Sequence, residues 1–106
     1  MQAIEFLKQL PDTVNPQVIE GMSTIFHFDL QGDDGGQITV ALDNGKIDVS
    51  EGLIGEPKCV VTSSTDNFVK LVKGELNPMM AIMMGKVKIT NQGEMLKFAK
   101  ILGMMK

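Results

Sequence analysis

The spacing of apolar residues predicts short helices at the start of the chain. Ile4 and Leu7 recur at helical spacing, and Pro11 is expected to end that segment because proline lacks the amide hydrogen that a helix interior needs. Asn15 followed by Pro16 is typical of an N-cap with proline in the first helical turn, which predicts a second short helix.

Strict alternation of apolar and polar residues then predicts three strands in a row. Their apolar positions are Phe26, Phe28 and Leu30, then Ile38, Val40 and Leu42, then Ile47 and Val49. The glycine- and aspartate-rich run 32–36 makes the first turn, and Asn44-Gly45 makes the second, which is typical of a type I′ hairpin. Such strands form an antiparallel meander whose apolar face must be covered.

Strands and helices alternate in the second half of the chain. Residues 59–62 and 86–90 are predicted as the fourth and fifth strands. A helix with Phe68, Leu71 and Val72 on its apolar face ends at Gly74, and a short helix runs from Asn77-Pro78 to Gly85. A final amphipathic helix carries Met95, Leu96, Phe98, Ala99, Ile101 and Leu102. The prediction is one α+β domain, residues 1–106, with a five-stranded, mostly antiparallel sheet and helices covering one face.

Composition and charge narrow the possible partners. The chain has 43% hydrophobic and 22% charged residues, as globular proteins do, but only 5% aromatics and as many as nine methionines. Methionine is flexible and fills irregular or changing space. A net charge of −3 with no arginine argues against nucleic acid. From Phe68 onward the chain has seven lysines and two acidic residues. This excess of positive charge indicates either a solvated helix face or a surface for anionic lipid head groups.

Residue types with catalytic or metal-binding chemistry are few and scattered. His27 is the single histidine, and alternation places it on the polar, exposed side of its strand. Cys59, in a predicted strand, is expected to be a buried small hydrophobe. Asp33, Asp34 and Asp43 lie at turns and lack the spacing of a calcium loop. The sequence therefore predicts no metal, no cofactor and no enzyme activity.

No targeting segment is expected from the sequence. The single cysteine excludes an internal disulfide and fits a reducing compartment. The first residues do not resemble a signal peptide, and no apolar stretch approaches the roughly 20 residues that span a bilayer. Residues 103–106 are not a peroxisomal address. A cytoplasmic protein is expected.

Several runs of the sequence resemble the sterol carrier protein family, the nonspecific lipid-transfer type. They lie at residues 15–16, 21–22, 26–30, 44–46, 49–52, 65–68, 74–78, 81 and 85–89, so that the resemblance covers roughly residues 15–102. The spacing from Gly-x-Leu-Asn-Pro at 74–78 to Gly-Lys-x-Lys-Ile at 85–89 is its most specific part. The resemblance implies a hydrophobic tunnel between sheet and helices that holds fatty acids, acyl-CoA esters, phospholipids or sterols with low selectivity. The family often has an aromatic residue in the second strand, whereas residues 37–40 of this chain, Gln-Ile-Thr-Val, contain none.

The energetics of such a tunnel constrain how it works. A void of roughly 300 Å³, left empty in a rigid core, costs about 7 kcal/mol at about 24 cal/mol per Å³. That is comparable with a domain's total stability of about 5–15 kcal/mol, so the tunnel must collapse, admit water or stay filled. The methionines are either ordinary core or a wall that repacks around the ligand. Candidate lipid-binding residues are Phe26, Phe28, Ile38, Val40, Phe68, Leu71, Met79, Ile82, Met83, Met95, Phe98 and Leu102.

Two functions from different classes remain open. The first is non-catalytic binding and transfer of a lipid, whether fatty acid, acyl-CoA, phospholipid or an isoprenoid-like chain, with transient contact to a membrane or a lipid-metabolising enzyme. The second is a non-catalytic accessory or assembly module for a lipid- or quinone-metabolising enzyme. The sequence does not identify the lipid, the head-group contacts or the oligomeric state.

Overall fold

Short helices and longer strands alternate in the computed structural model, which describes residues 3–14, 17, 19–94 and 97. In chain order the elements of this described part are α1 (Ala3–Lys8), α2 (Leu10–Thr13), β1 (Ser23–Gln31), β2 (Gly36–Asp43), β3 (Lys46–Glu51), β4 (Cys59–Ser64), α3 (Thr65–Val72), α4 (Pro78–Met83) and β5 (Val87–Ile89). The predicted α+β class, with five strands, is confirmed.

The strands form a single sheet in the order β3-β2-β1-β4-β5. Only the central β1–β4 pair is parallel, so the sheet is mostly antiparallel as predicted. At the β2–β3 turn, Asn44 and Gly45 have φ angles of 44° and 92°, the left-handed pair that a type I′ hairpin requires. Phe28 of β1 pairs with Ile38 of β2 and Val61 of β4, which places these three side chains on the same face of the sheet.

This inner face of the sheet is covered by the helices. α1 and α2 pack on β2 and β3, α3 packs on β4 and β1, and α4 packs beside β5. The capping residues set where the later helices begin: the Ser64 hydroxyl accepts a hydrogen bond from the Asn67 amide at 3.1 Å, and the Asn77 side chain accepts from the Met79 amide at 2.9 Å. Gly74 and Gly85 follow the last turns of α3 and α4, as predicted.

The first and last helices differ from the sequence prediction or fall outside the described part. Pro11 does not end a helical segment: it lies in the first turn of α2, where a missing amide hydrogen costs nothing. Asn15, Pro16 and Val18, the basis of the predicted second helix, lie outside the described residues, and residues 19–21 form a turn. Residues 92–94, directly before the predicted final helix, and Lys97 within it are helical. Residues 95, 96 and 98–106 lie outside the described part.

The outer face of the sheet is partly covered by the loop that connects β3 to β4. The Thr39 hydroxyl donates to the Gly52 carbonyl at 2.7 Å and accepts from the Ile54 amide at 2.9 Å. His27 Nε2 lies 2.9 Å from the Ile54 carbonyl oxygen, and the histidine is only 6% exposed. The prediction of a surface His27 is therefore wrong, because alternation identifies the face of a strand but not a loop that folds back across it.

Candidate functional site

The layer between sheet and helices brings six of the predicted lipid-binding residues together. Each is at most 1% exposed and belongs to one continuous hydrophobic cluster: Phe26, Phe28, Ile38, Val40, Phe68 and Leu71. The first four come from the inner face of β1 and β2, and the other two from the apolar side of α3. Among the described residues, no aspartate, glutamate or lysine is buried.

Aromatic rings run through the middle of this layer. Phe28 and Phe68 meet edge to face with centroids 5.7 Å apart, Phe26 lies 6.2 Å from Phe28, and Phe6 of α1 lies 6.3 Å from Phe68. Phe6 was not among the predicted residues. Its signal was present, because positions 3, 6, 7 and 10 follow the i, i+3, i+4, i+7 pattern of a helix face, and the other three of these residues are buried.

The predicted residues of α4 divide between the two sides of the helix. Ala81 is fully buried and belongs to the hydrophobic cluster, and Ile82, the next residue, is half-buried. Met79 and Met83, proposed above as lipid-binding, are 41% and 83% exposed and are not brought to the cluster. The remaining predicted residues, Met95, Phe98 and Leu102, lie outside the described residues.

Polar groups at the edge of the layer are fully paired. In the part of the chain that the structure describes, no buried side-chain nitrogen or oxygen lacks a hydrogen-bond partner. Thr24, at the start of β1 and 6% exposed, donates from its hydroxyl to Glu94 Oε2 at 2.8 Å. This bond lowers the pKa of Glu94 below its ordinary value of 4.5, and Lys97, which pairs with the same carboxylate at 3.1 Å, lowers it further.

The Thr24–Glu94 bond makes stability depend on pH. Because the pKa of Glu94 is lower in the folded protein, its stabilisation is complete above pH 4.5 and is lost as the pH falls through the folded value. Thr24→Val is expected to lower the free energy of unfolding by about 1–2 kcal/mol at neutral pH. Urea denaturation across the pH range checks this. The difference in unfolding free energy between Thr24→Val and wild type should shrink on acidification. In a Glu94→Gln background the effect of Thr24→Val should be the same at every pH.

Cys59 is fully buried on the inner face of β4, which confirms its prediction as a small hydrophobe. Its thiol lies 3.5 Å from the Asn91 carbonyl oxygen, and burial raises the pKa of Cys59 above its ordinary value.

The described residues contain no group of three or more histidine, cysteine or acidic side chains placed to hold a metal ion. No helix in the described ranges is long and apolar enough to cross a membrane.

An open groove lies at the end of the sheet where β1 begins and β2 ends. Its volume is about 270 Å³, and its lining includes Ile25, Ala41 and Leu42, with Glu56 and Lys58 at the rim. Leu42 and the adjacent Thr24, which also lines the groove, point from the sheet into the inner layer, whereas Ile25 and Ala41 lie on the outer face. Because most of its lining belongs to the outer face or to the β3–β4 loop, the groove opens on the outer side of the sheet, beside the strand ends that carry Thr24 and Leu42.

Comparison with known proteins gives a match over nearly the whole chain. Residues 4–106 match the model of the SCP-2 sterol transfer family. The hydroxysteroid dehydrogenase-like protein 2 of Xenopus tropicalis is 36% identical over 103 residues, which are 95% of this chain and 25% of that protein. This chain therefore spans about a quarter of the length of the curated relatives that it matches.

Solved structures with this fold include both separate domains and parts of larger enzymes. The sterol carrier protein domain 2 of Helicoverpa armigera has a TM-score of 0.70 at 26% identity, over 93% of this chain and 81% of that one. The inverting sec-alkylsulfatase Pisa1 from Pseudomonas sp. has a TM-score of 0.81 at 18% identity, over 100% of this chain and 16% of the sulfatase. At that identity the sulfatase likeness shows a shared fold alone.

Proposed function

Because this chain belongs to the SCP-2 sterol transfer family, we propose that it is a non-catalytic module that holds the alkyl chain of a lipid between sheet and helices. One observation carries the proposal: sixteen hydrophobic residues form one continuous buried cluster, and no aspartate, glutamate or lysine of the described residues is buried. We assign its lining to the six buried residues Phe26, Phe28, Ile38, Val40, Phe68 and Leu71, with Ile82 at the α4 side.

The physical gain on binding comes from removing methylene groups from water. Each buried CH₂ contributes about 0.8 kcal/mol, so that an alkyl chain of about 14 methylene groups gains roughly 11 kcal/mol before the cost of association. None of this gain requires a hydrogen bond to a head group. Selectivity among fatty acids, acyl-CoA esters, phospholipids and isoprenoid-like chains is therefore expected to be low.

Short helices give the layer a means of opening. The four described helices are at most eight residues long, a length at which a helix depends on packing rather than on its own stability. We propose that an alkyl chain enters between the helices and the sheet and separates them as it advances. Opening and filling then occur together, so that no rigid empty void has to be maintained.

The absence of tryptophan from the chain makes a direct test possible. Phe68→Trp places a single indole inside the layer, and Ser50→Trp places one on the outer face of β3 as the matched control. Titration with dibromostearic acid should quench the fluorescence of Phe68→Trp with saturation and leave Ser50→Trp unchanged. Mass spectrometry of solvent extracts from the purified wild-type protein should recover co-purified lipid. No quenching of Phe68→Trp, together with a lipid-free extract, would refute the proposal.

A second candidate is the accessory module for a lipid- or quinone-metabolising enzyme. It is favoured by one observation, that the curated relatives carry the matching segment as about a quarter of a longer, dehydrogenase-like protein. The two functions give different results in the same titration. An accessory module that holds no lipid leaves Phe68→Trp unquenched, whereas a module that presents lipid to an enzyme is quenched and also changes that enzyme's turnover when added to its assay.

A further inference from the structure

A small polar groove lies on the outer side of the sheet, where the parallel strands β1 and β4 end and β5 begins. Its volume is about 130 Å³, and its lining combines hydroxyl, amide and ammonium groups: Gln31, Thr62, Ser63, Ser64, Gly85, Lys86 and Lys88. No carboxylate belongs to this lining. The chain as a whole has a net charge of −3, so this groove concentrates positive charge on an otherwise acidic molecule.

The strand register places the polar side chains of the groove next to one another. Lys88 of β5 lies directly opposite Thr62 of β4, and Gln31 of β1 lies beside Ser64. Alternation with the buried residues of β4 puts Thr62 and Ser64 on the outer face. Continuing the β4–β5 register by two residues brings Lys86 opposite Ser64. Because neighbouring strands are about 4.8 Å apart, these side chains can reach one small bound group together.

The hydrogen-bond donors of the groove have spare capacity. Within the described part of the chain, neither of its lysines forms an ion pair, and the side chains of Thr62 and Gln31 make no hydrogen bond. The Ser64 hydroxyl oxygen accepts from the Asn67 amide at 3.1 Å, which leaves the hydroxyl hydrogen available to donate. The groove therefore offers two positive charges and several neutral donors, but no acceptor with a negative charge.

We propose that this groove binds the phosphate group of a phosphate monoester, held between Lys86 and Lys88. The two ammonium groups match the charge of nearly −2 that such a group carries at neutral pH, and the hydroxyl and amide donors match its three terminal oxygens. A carboxylate has one charge and two oxygens, so it would leave several donors without a partner. The chain has no arginine, and lysine is the other side chain that commonly binds phosphate.

The position of the groove favours a water-soluble phosphate ester over a lipid head group. None of the residues that line it is an exposed apolar residue, so the groove has no side chain to insert into a bilayer. It also lies on the face of the sheet opposite the helices, whereas the proposed lipid layer lies between sheet and helices. Phosphate binding therefore goes beyond the proposed function and does not depend on it.

Titration of the full chain with inorganic phosphate at constant ionic strength, followed by ¹H–¹⁵N NMR, tests the site. We expect saturating shifts in the millimolar range at the amides of residues 31, 62–64 and 85–88, and none with acetate. Lys86→Gln with Lys88→Gln should weaken binding by about tenfold or more. The matched control is Lys70→Gln with Lys73→Gln on α3, because these two lysines share their groove with three acidic side chains. This control removes the same charge and should bind phosphate as wild type does.

Asp29 provides a second test, in the opposite direction. It lies beside Thr62 on β1 and is half-buried, but it does not line the groove. Its negative charge opposes a bound phosphate, so Asp29→Asn is expected to tighten binding by about two- to fourfold. Thr62→Val removes one donor while keeping a side chain suited to a strand, and should weaken binding by about threefold.

Three results would overturn the proposal. Absence of saturating shifts with phosphate would show that the donors do not act together. Equal weakening by the two double lysine variants would show that phosphate responds to net charge alone. Co-sedimentation with phosphatidic acid vesicles, without a response to inorganic phosphate, would assign the two lysines to a membrane surface. Because dibromostearate quenching of Phe68→Trp is measured without phosphate, failure of this site and failure of lipid binding are distinguished.

Discussion

Phe28→Ala is expected to lower the free energy of unfolding by about 3–5 kcal/mol, a large part of the stability of a domain of this size. Phe28 is fully buried on the central strand β1 and contacts two other rings, Phe26 at 6.2 Å and Phe68 at 5.7 Å between centroids. The strands on either side hold its backbone in the sheet, so the surroundings collapse poorly around the missing ring. Urea denaturation followed by circular dichroism measures the loss.

The same variant also reports on the proposed ligand. If the space vacated by Phe28 belongs to the layer that a lipid occupies, stearic acid should raise the unfolding midpoint of Phe28→Ala more than that of wild type, because the ligand replaces contacts that the variant lacks. Loss of stability without this additional stabilisation would show that the lipid does not occupy the layer at Phe28. A loss below about 1 kcal/mol would mean that the ring is not packed as described.

The strand half of the fold was predictable because its determinants are local. Alternation with period two fixes which side of each strand is apolar, and Asn44-Gly45 fixes the hairpin because both residues tolerate positive φ. Phe26, Phe28, Ile38 and Val40 were therefore correctly expected on one buried face. Asn77 was correctly expected to begin α4, because a cap depends only on the next three residues.

Features set by contacts distant in sequence were not predictable. His27 reads as an exposed position until the β3–β4 loop is folded over the outer face and places the Ile54 carbonyl against its ring. The orientation of α4 is similar: the sequence did not show which of its methionines would be exposed, nor that Ala81, the smallest residue of the helix, is the one that packs inward. Whether the methionines face the core or the solvent depends on the shape of the surface against which α4 packs.

The turn between β1 and β2 was predicted from its sequence, but the reason why it needs Gly35 was not. The turn was predicted because residues 32–36 tolerate positive φ, and of these five residues Gly32 adopts it, with φ of 135°. What Gly35 requires is a close approach of backbone to backbone. A Cβ atom at this position would lie 2.1 Å from the Leu30 carbonyl oxygen and 2.9 Å from the Leu30 carbonyl carbon.

Gly35→Ala is accordingly expected to destabilise the protein by about 3 kcal/mol or more, since neither atom that the new methyl group meets belongs to a flexible side chain. The β1–β2 hairpin has to open where Leu30 pairs with Gly36, and β1 is the strand from which Phe28 enters the layer. Thermal and urea denaturation measure the effect. A matched control is the adjacent Gly36→Ala, whose Cβ would meet the Ile4 side chain at an ordinary 3.6 Å.

The Gly35→Ala variant also separates general destabilisation from loss of the lipid site. It weakens the hairpin at the turn but removes no side chain from the layer. Stearic acid should therefore raise its unfolding midpoint by about the same amount as in wild type. Phe28→Ala, destabilised to a similar degree, should gain more. Equal gains in the two variants would place the ligand away from Phe28. If Gly35→Ala destabilises the protein no more than Gly36→Ala does, the Leu30 carbonyl cannot lie as close to Gly35 as described.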